Sequence, residues 1–115
     1  MRSRFAAFAI ADAEYLWRTL HPDHEERALP KEDVILSLKA ACRTCKYMRL
    51  TILEARGSEV LFRAGVFEKG KDRSFVELST FAKEGNAWRY LTGIARDAAA
   101  PELGDPARLT IDSFP

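Results

Sequence analysis

The fold is decided by residues 75–93, which read FVELSTFAKEGNAWRYLTG. Before Gly85-Asn86, Phe75, Glu77, Ser79 and Phe81 alternate with Val76, Leu78 and Thr80, and after it Trp88 and Tyr90 alternate with Arg89 and Leu91. Period two is the spacing of a strand, because successive side chains point to opposite faces of a sheet. A Gly-Asn pair between two such runs indicates a tight turn. The stretch therefore predicts two antiparallel strands joined as a hairpin.

Two earlier runs have the same period. In residues 48–52 and 60–67, apolar residues occupy every second position. The breaks between the runs hold Arg56-Gly57 and Gly70. Glycine near such breaks is typical of hairpin turns. The second half of the chain thus predicts a four-stranded antiparallel meander from about residue 47 to residue 94.

The first half has helical spacing instead. Phe5, Phe8 and Ala9 lie at positions i, i+3 and i+4, which share one helix face. Asp12 can cap a second short helix, and His21-Pro22 ends it because proline disfavours helical geometry in the preceding residue. A third helix follows from about Pro30 to residue 45. About three helices are therefore expected before residue 46.

Helices followed by a strand meander define an α+β class, with the helices packed on one sheet face. The 115 residues form one domain, 1–115, and are enough to bury a single core. The strand meander is expected to end at about residue 94. Residues 95–115 are rich in Ala, Pro and Gly and are predicted to be an irregular tail, with a possible edge strand at 108–112.

The length of the hairpin turn decides which face Glu77 occupies. A two-residue loop, Glu84-Gly85 or Gly85-Asn86, places Glu77 on the same face as Trp88 and Tyr90, whose rings belong in the core. A three-residue loop without a compensating bulge gives the opposite parity and buries Val76 and Leu78 instead. The two-residue turn is favoured, so Glu77 is expected on the helix-covered face.

An inward carboxylate needs partners, because removing an ionised group from water is costly. Two interpretations of Glu77 stay open: a buried structural network that ties the first helix to the sheet, and a pocket wall that orients a small ligand. The candidate partners are Ser79, Tyr90, Tyr15, His21, Arg2 and Arg4.

Composition excludes several classes of function. The formal net charge is +1, which gives no strong field toward nucleic acid or an anionic membrane, and the apolar run of residues 5–11 is too short to span a bilayer. Two cysteines make no disulfide framework, so a cytoplasmic location is expected. No nucleic-acid or membrane partner is predicted.

Cys42 and Cys45 have the C-x-x-C spacing of zinc half-sites and redox pairs. A structural zinc site needs four ligands, and the sequence holds no second pair. Both cysteines lie near the carboxyl end of a predicted helix, where the dipole opposes a thiolate. They are interpreted as small apolar side chains, and neither a metal nor a cofactor is expected.

Several short motifs carry a family resemblance over roughly residues 1–94. They are Met1-Arg2-Ser3-Arg4-Phe5 with Phe8, Asp12-Ala13-Glu14-Tyr15-Leu16, His21-Pro22, Phe62-Arg63-Ala64, and Glu77, Ser79, Phe81, Trp88, Tyr90 and Gly93. In this order they resemble the middle domain of the YchJ-like proteins, which has a nuclear transport factor 2-like fold. The resemblance implies a curved antiparallel sheet wrapped around helices to form a cone. It implies no catalytic residues.

Proteins of this kind usually carry a cysteine-rich SEC-C motif, a short zinc-binding segment, just before the Met-Arg-Ser-Arg stretch. The sequence begins at that methionine, Met1. A stand-alone version and an upstream segment outside this sequence both remain open, and no metal-linked role is carried over.

If the cone has a polar centre, its cavity residues are expected to surround Glu77. The candidate ligand-binding residues are Tyr15, His21, Glu77, Ser79, Phe81, Trp88 and Tyr90. The favoured function is a binding or protein-interaction module with a small central cavity, for which a small apolar molecule is the candidate ligand. The alternative is an enzyme resembling ketosteroid isomerase, in which Glu77 is the candidate acid or base.

The opposite sheet face predicts self-association. It should carry an apolar patch that is too large to leave bare in a monomer. Its members are Leu61, Phe67, Val76, Leu78 and Leu91. A homodimer through this outer face is therefore expected.

Overall fold

The computed structural model describes all residues, 1–115, and has the predicted α+β architecture. The α-helices are α1 (Arg2–Ala9), α2 (Ala13–Arg18) and α3 (Lys31–Thr44), and short 3-10 helices span Glu25–Ala28, Pro101–Leu103 and Pro106–Arg108. The strands are β1 (Lys46–Arg56), β2 (Glu59–Glu68), β3 (Lys71–Asp72), β4 (Phe75–Glu84) and β5 (Ala87–Asp97). The switch from helical to period-two spacing therefore falls where the sequence predicts it.

The five strands form one antiparallel sheet with the order β1-β2-β4-β5. The two-residue β3 pairs with the end of β2 and adds a strand to the predicted four. The last hairpin closes with Glu84 opposite Ala87, so its loop is Gly85-Asn86. This is one of the two turns that bring Glu77 to the face of Tyr90.

A β-bulge interrupts the β4–β5 pairing. Thr80 pairs with Thr92 and Phe81 pairs with Tyr90, so Leu91 has no partner of its own. Bulges re-aim side chains and increase the local twist of a strand. Leu91 lines the cavity on the helix side of the sheet and not the outer face, which corrects the sequence-based assignment.

The helices cover one face of the sheet, here called the inner face. Its core contains Phe62, Ala64 and Val66 from β2, against which Phe5 of α1 packs. Asp12 caps α2 as expected, because its Oδ1 accepts a hydrogen bond from the Tyr15 amide at 3.1 Å. The longest helix has 14 residues, and no helix combines the length and apolar character needed to cross a membrane.

The opposite face, here called the outer face, is covered by the carboxyl-terminal segment. Leu61 and Val76 are fully buried on this face, in one cluster with three tail residues. The tail residues are Leu103, Leu109 and Ile111. Two side chains of β1 fasten the segment: Glu54 accepts a hydrogen bond from the Ile111 amide, and Arg56 forms a bidentate pair with Asp112.

Two sequence-based expectations are corrected here. Residues 108–112 form a 3-10 end and a turn, not an edge strand, because Pro106 and the turn at 110–113 keep the backbone out of the ladder. The patch expected to pair two chains is also not bare. Leu78 packs on the tail cluster and only Phe67, at 40% exposure, stays open, so the homodimer prediction loses the exposed surface behind it.

Candidate functional site

A carboxylate with two hydroxyl donors lies on the inner face. The Glu77 Oε2 atom accepts hydrogen bonds from the Ser79 hydroxyl at 2.5 Å and the Tyr90 hydroxyl at 2.8 Å. Ser79 is fully buried, whereas Glu77 is only half-buried. No hydrogen bond is made by Glu77 Oε1, and no buried side-chain oxygen lacks a partner, so Oε1 must border open space.

The position of Tyr90 is fixed by its backbone as well as by its ring. The Tyr90 amide donates to the Thr19 carbonyl at 2.8 Å, and the Tyr90 carbonyl accepts from the His21 amide at 2.7 Å. The segment after α2 thereby covers the edge of β5 at Tyr90, through a single bridge between Leu20 and Tyr90. This pairing places the end of α2 directly beside the Glu77–Tyr90 pair.

Gly93 makes room for this polar centre. Gly93 lies opposite Ser79 in the β4–β5 ladder. A Cβ atom at this position would lie 2.7 Å from Glu77 Cδ and would also clash with Glu77 Oε2 and Tyr90 Oη. A Cβ atom essentially never lies this close to a heavy atom to which it is not bonded, so the carboxylate can occupy its position only above a glycine.

Arg4 of α1 completes the centre. Its guanidinium lies 4.6 Å from the centroid of the Tyr90 ring, in the range of a cation–π contact. The side chain is buried, and its Nη1 atom donates to the Leu16 carbonyl at 3.0 Å and to the Thr19 hydroxyl. Arg4 is therefore anchored to the end of α2, where the helix dipole favours a positive charge.

Burial is the largest influence on the pKa values of Tyr90 and Arg4. Desolvation and the adjacent Glu77 raise the pKa of the Tyr90 hydroxyl above its usual value, while Arg4 opposes the shift. Desolvation lowers the pKa of Arg4, and the Tyr90 and Glu77 charges partly compensate. Tyr90 is therefore a neutral donor at pH 7, and Arg4, whose ordinary pKa is about 12.5 or above, is a cation.

The polar centre opens into a cavity of about 490 Å³ on the inner face. Six aromatic rings contribute to its walls: Phe5, Phe8, Tyr47, Phe62, Phe75 and Tyr90. Burial raises the pKa of Tyr47 to about 12, so this hydroxyl is also neutral at physiological pH. The arrangement combines aromatic walls with several convergent polar and charged groups, a combination that suits a small-molecule site.

A second cavity of about 310 Å³ lies on the other side of the Arg4–Tyr90 contact. Arg4 and Tyr90 border both cavities. The walls of the second cavity include Tyr15, Phe81 and Trp88, and Trp88 is 52% exposed. The guanidinium and the phenol ring thus form part of a partition between the two spaces.

The residues expected to form one cavity are divided between these two. Glu77 and Tyr90 line the larger cavity, with Ser79 behind Glu77. Tyr15, Phe81 and Trp88 line the smaller one, where the Tyr15 hydroxyl donates to Ser3 and not to Glu77. His21 lines neither cavity, because its ring Nε2 lies 3.3 Å from the Lys83 carbonyl at the edge of the sheet.

Neither His24 nor Arg4 was assigned to a cavity from the sequence, although both residues line the larger one. His24 lines it, with its ring 5.6 Å from that of Tyr90. Arg4 was considered only as a partner of Glu77. Its signal was available, because Arg4 lies four residues before Phe8 and so shares the apolar stripe of α1. His24 has no such signal, since a 3-10 turn positions it.

The two cysteines lie away from this centre. Cys42 is buried beside Ala7 and Leu16, and Cys45 packs against the inner core of the sheet. Both thiols are free, and burial raises the pKa of Cys42. An elevated pKa keeps a thiol protonated and poorly reactive.

Helices on the inner face of a single antiparallel sheet, with a polar centre inside the cavity between them, define a nuclear transport factor 2-like domain. Residues 1–93 match the family model described as the YchJ middle NTF2-like domain, and the chain belongs to this family.

A curated relative supports this assignment. It is a UPF0225 protein of Deinococcus radiodurans that is 39% identical over an alignment of 94 residues, with 79% of this chain covered. The chain spans 63% of the length of that relative. No solved structure matches the chain. The carboxyl-terminal segment that covers the outer face lies beyond the residues matched by the family model.

Proposed function

We propose that the domain is a binding module for a small, mainly apolar molecule held in the larger cavity. The observation that carries this proposal is that Glu77, Tyr90 and Arg4 line, together with aromatic walls, one cavity of about 490 Å³. This volume lies in the range of about 300–1,000 Å³ that is usual for small-molecule sites. Burial of the ligand against the aromatic rings would contribute to the binding free energy, and the polar groups would orient the ligand.

The two faces of the sheet favour a ligand over a protein partner. The outer face is occupied by residues of the same chain, so Leu61 and Val76 are not available for docking. The inner face keeps its open volume beside the polar centre. The cytoplasm is the proposed location, supported by the two free thiols, Cys42 and Cys45.

A second candidate is proton transfer by Glu77. Both hydroxyl donors bind Oε2, which leaves Oε1 free to accept a proton from a bound molecule. Tyr90 already donates to Glu77, so it is engaged as an orienting group and not as a donor to substrate. Binding without turnover is therefore the primary proposal, and loss of turnover but not of binding in Glu77→Gln would support the enzyme.

The cavity is tested with N-phenyl-1-naphthylamine, a neutral apolar dye whose fluorescence rises on leaving water. Leu38 of α3 lines the cavity, whereas Leu36 on the same helix is 64% exposed. Leu38→Trp should fill the cavity and weaken dye binding at least about tenfold. Leu36→Trp adds the same side chain at a position that does not line the cavity and is the matched control.

Saturable binding of about one dye per chain is expected for the unmodified protein and for Leu36→Trp. Circular dichroism and urea unfolding check that both variants remain folded. The proposal is wrong if the unmodified protein shows no saturable binding, or if a folded Leu38→Trp binds the dye as tightly as the control.

A further inference from the structure

Arg4 has a guanidinium edge that the protein does not use. The side chain is only 6% exposed, and both of its hydrogen bonds to the protein are made by Nη1. The Nε and Nη2 atoms make none. No buried side-chain nitrogen lacks a partner, so both atoms must border open space, and Arg4 lines both cavities.

The unused pair of nitrogens has a particular geometry. In a planar guanidinium, Nε–H and Nη2–H are parallel and form the edge that binds both oxygens of a carboxylate. No carboxylate oxygen of the chain lies within 4.0 Å of Arg4. A cation this deeply buried ordinarily has an anionic partner. The structure therefore contains a rigidly held cation with an open bidentate edge.

We infer that the ligand of the cavity carries a single carboxylate, which pairs with the Nε/Nη2 edge of Arg4 while its apolar body lies against the aromatic walls. This inference rests on the proposed function and adds the chemical class of the ligand. Arginine suits this role better than lysine, because its planar fork matches the two carboxylate oxygens.

His24 supplies a second donor at the same cavity. Its Nδ1 accepts a hydrogen bond from the Glu26 amide at 3.0 Å, so the neutral ring carries its proton on Nε2. Nε2 makes no hydrogen bond to the protein and borders open space by the same argument as Arg4. A carboxylate beside Arg4 can thus accept a further hydrogen bond from Nε2 of the neutral His24 ring.

The acidic residues of the cavity restrict the ligand to one negative charge. Asp23, Glu25 and Glu26 line the cavity, and the Asp23 side chain is 84% exposed. Their fields are screened over a distance of about 10 Å at about 0.1 M salt, so a monoanion with enough apolar surface can enter. Glu77 adds a fourth negative charge inside. Phosphate esters and dicarboxylates would bring a second negative charge into this field.

The test compares two probes of the same shape, 2-naphthoate and 2-naphthamide, by calorimetry at neutral pH. We expect the unmodified protein to bind the carboxylate about tenfold more tightly than the amide, since charge-assisted bidentate bonds are the stronger ones. Arg4→Lys should lower naphthoate affinity about tenfold and change naphthamide affinity less than about twofold. Arg2→Lys, at an exposed position of the same helix, is the matched control.

A second variant keeps the inference testable if Arg4→Lys fails to fold. Glu77→Gln removes the nearest negative charge and keeps an oxygen that can accept from Ser79 and Tyr90. Naphthoate affinity should then rise several-fold, with little change for naphthamide. Equal binding of the two probes by the unmodified protein, or unchanged naphthoate affinity in Glu77→Gln, would overturn the inference. Dye binding without a carboxylate preference would leave the proposed function intact, whereas loss of all binding would refute both.

Discussion

Gly93→Ala is the sharpest perturbation of the polar centre. The added methyl group would lie 2.7 Å from Glu77 Cδ, and it would clash with the two oxygens that join Glu77 to Tyr90. Neither neighbour can yield freely, because the Tyr90 backbone is held by Thr19 and His21 and Glu77 is bound by Ser79. Relief of the clash therefore requires the Glu77 carboxylate to move away from its donors.

The expected cost follows from these contacts. Overpacking of a well-packed site costs about 1–3 kcal/mol, and each hydrogen bond to a charged group contributes about 1.5–3 kcal/mol. Glu77 is half-buried beside the cavity, so water can replace part of what is lost. Alanine also gains about 0.5–1 kcal/mol over glycine within a strand. Together these terms predict a fall in the free energy of unfolding of about 2–4 kcal/mol.

Urea denaturation followed by circular dichroism measures this loss. With a slope of about 2 kcal/mol per molar urea, the midpoint should fall by roughly 1–2 M. Gly65→Ala is the matched control within the same sheet. A Cβ there would meet only ordinary contacts with Arg49, at 3.4 Å and beyond, so its free energy of unfolding should change by about 1 kcal/mol or less.

A double-mutant cycle identifies the cause. Glu77→Ala removes the carboxylate that the new methyl group meets, so Gly93→Ala should cost at least about 1 kcal/mol less in that background. Tyr90 Oη remains in place and accounts for the residual cost. The steric reasoning is refuted if Gly93→Ala is as stable as the unmodified protein, or if the two substitutions are additive.

Three further outcomes are expected. Glu77→Gln should lower the free energy of unfolding by only about 1–2 kcal/mol in urea, because the amide oxygen can still accept from both hydroxyls; a loss above about 3 kcal/mol would show that Arg4 depends on this charge. Removal of residues 98–115 should expose Leu61 and Val76 and lower the free energy of unfolding by about 5 kcal/mol or more. The exposed face should also cause self-association, which sedimentation velocity detects. A monomer with an unchanged urea midpoint would contradict this expectation. In absorbance titration at alkaline pH, Tyr47 should ionise at about 12 and Tyr90 above its ordinary value, with Tyr47→Phe as the control for the first step. Both pKa values are raised by folding, so the associated stability is complete below about pH 10 and is lost as the pH rises toward about 12; constant stability over that window would contradict the burial of these hydroxyls.

The strands and the turn could be predicted from the sequence, because both depend on the spacing of residues that are close together in the chain. Gly85-Asn86 forms the loop, and with it Glu77 lies on the inner face beside Tyr90. The bulge at Leu91 could not be anticipated in this way. No glycine or proline marks it, and its position follows from the pairing of Phe81 with Tyr90 across the hairpin.

Packing between residues far apart in sequence was the other feature that could not be predicted. The tail carries Leu103, Leu109 and Ile111 at irregular intervals among prolines and glycines, so no period reveals that they cover the outer face. The division of the expected site into two cavities has a similar origin. It depends on the side chain of Arg4 reaching the Tyr90 ring and the end of α2, which are contacts between residues far apart in sequence.

The contacts of Arg4 and Glu77 favour a binding role for the polar centre over a purely structural one. If they were a structural ion pair, their charged atoms should be in contact, because only close geometry compensates the cost of burying both charges. Instead each keeps one unused face: Nε and Nη2 on Arg4, and Oε1 on Glu77. Well-packed apolar residues of similar volume would stabilise such a site at least as well. The unused faces border the cavities, where a ligand with an acidic head would satisfy the arginine and account for its burial.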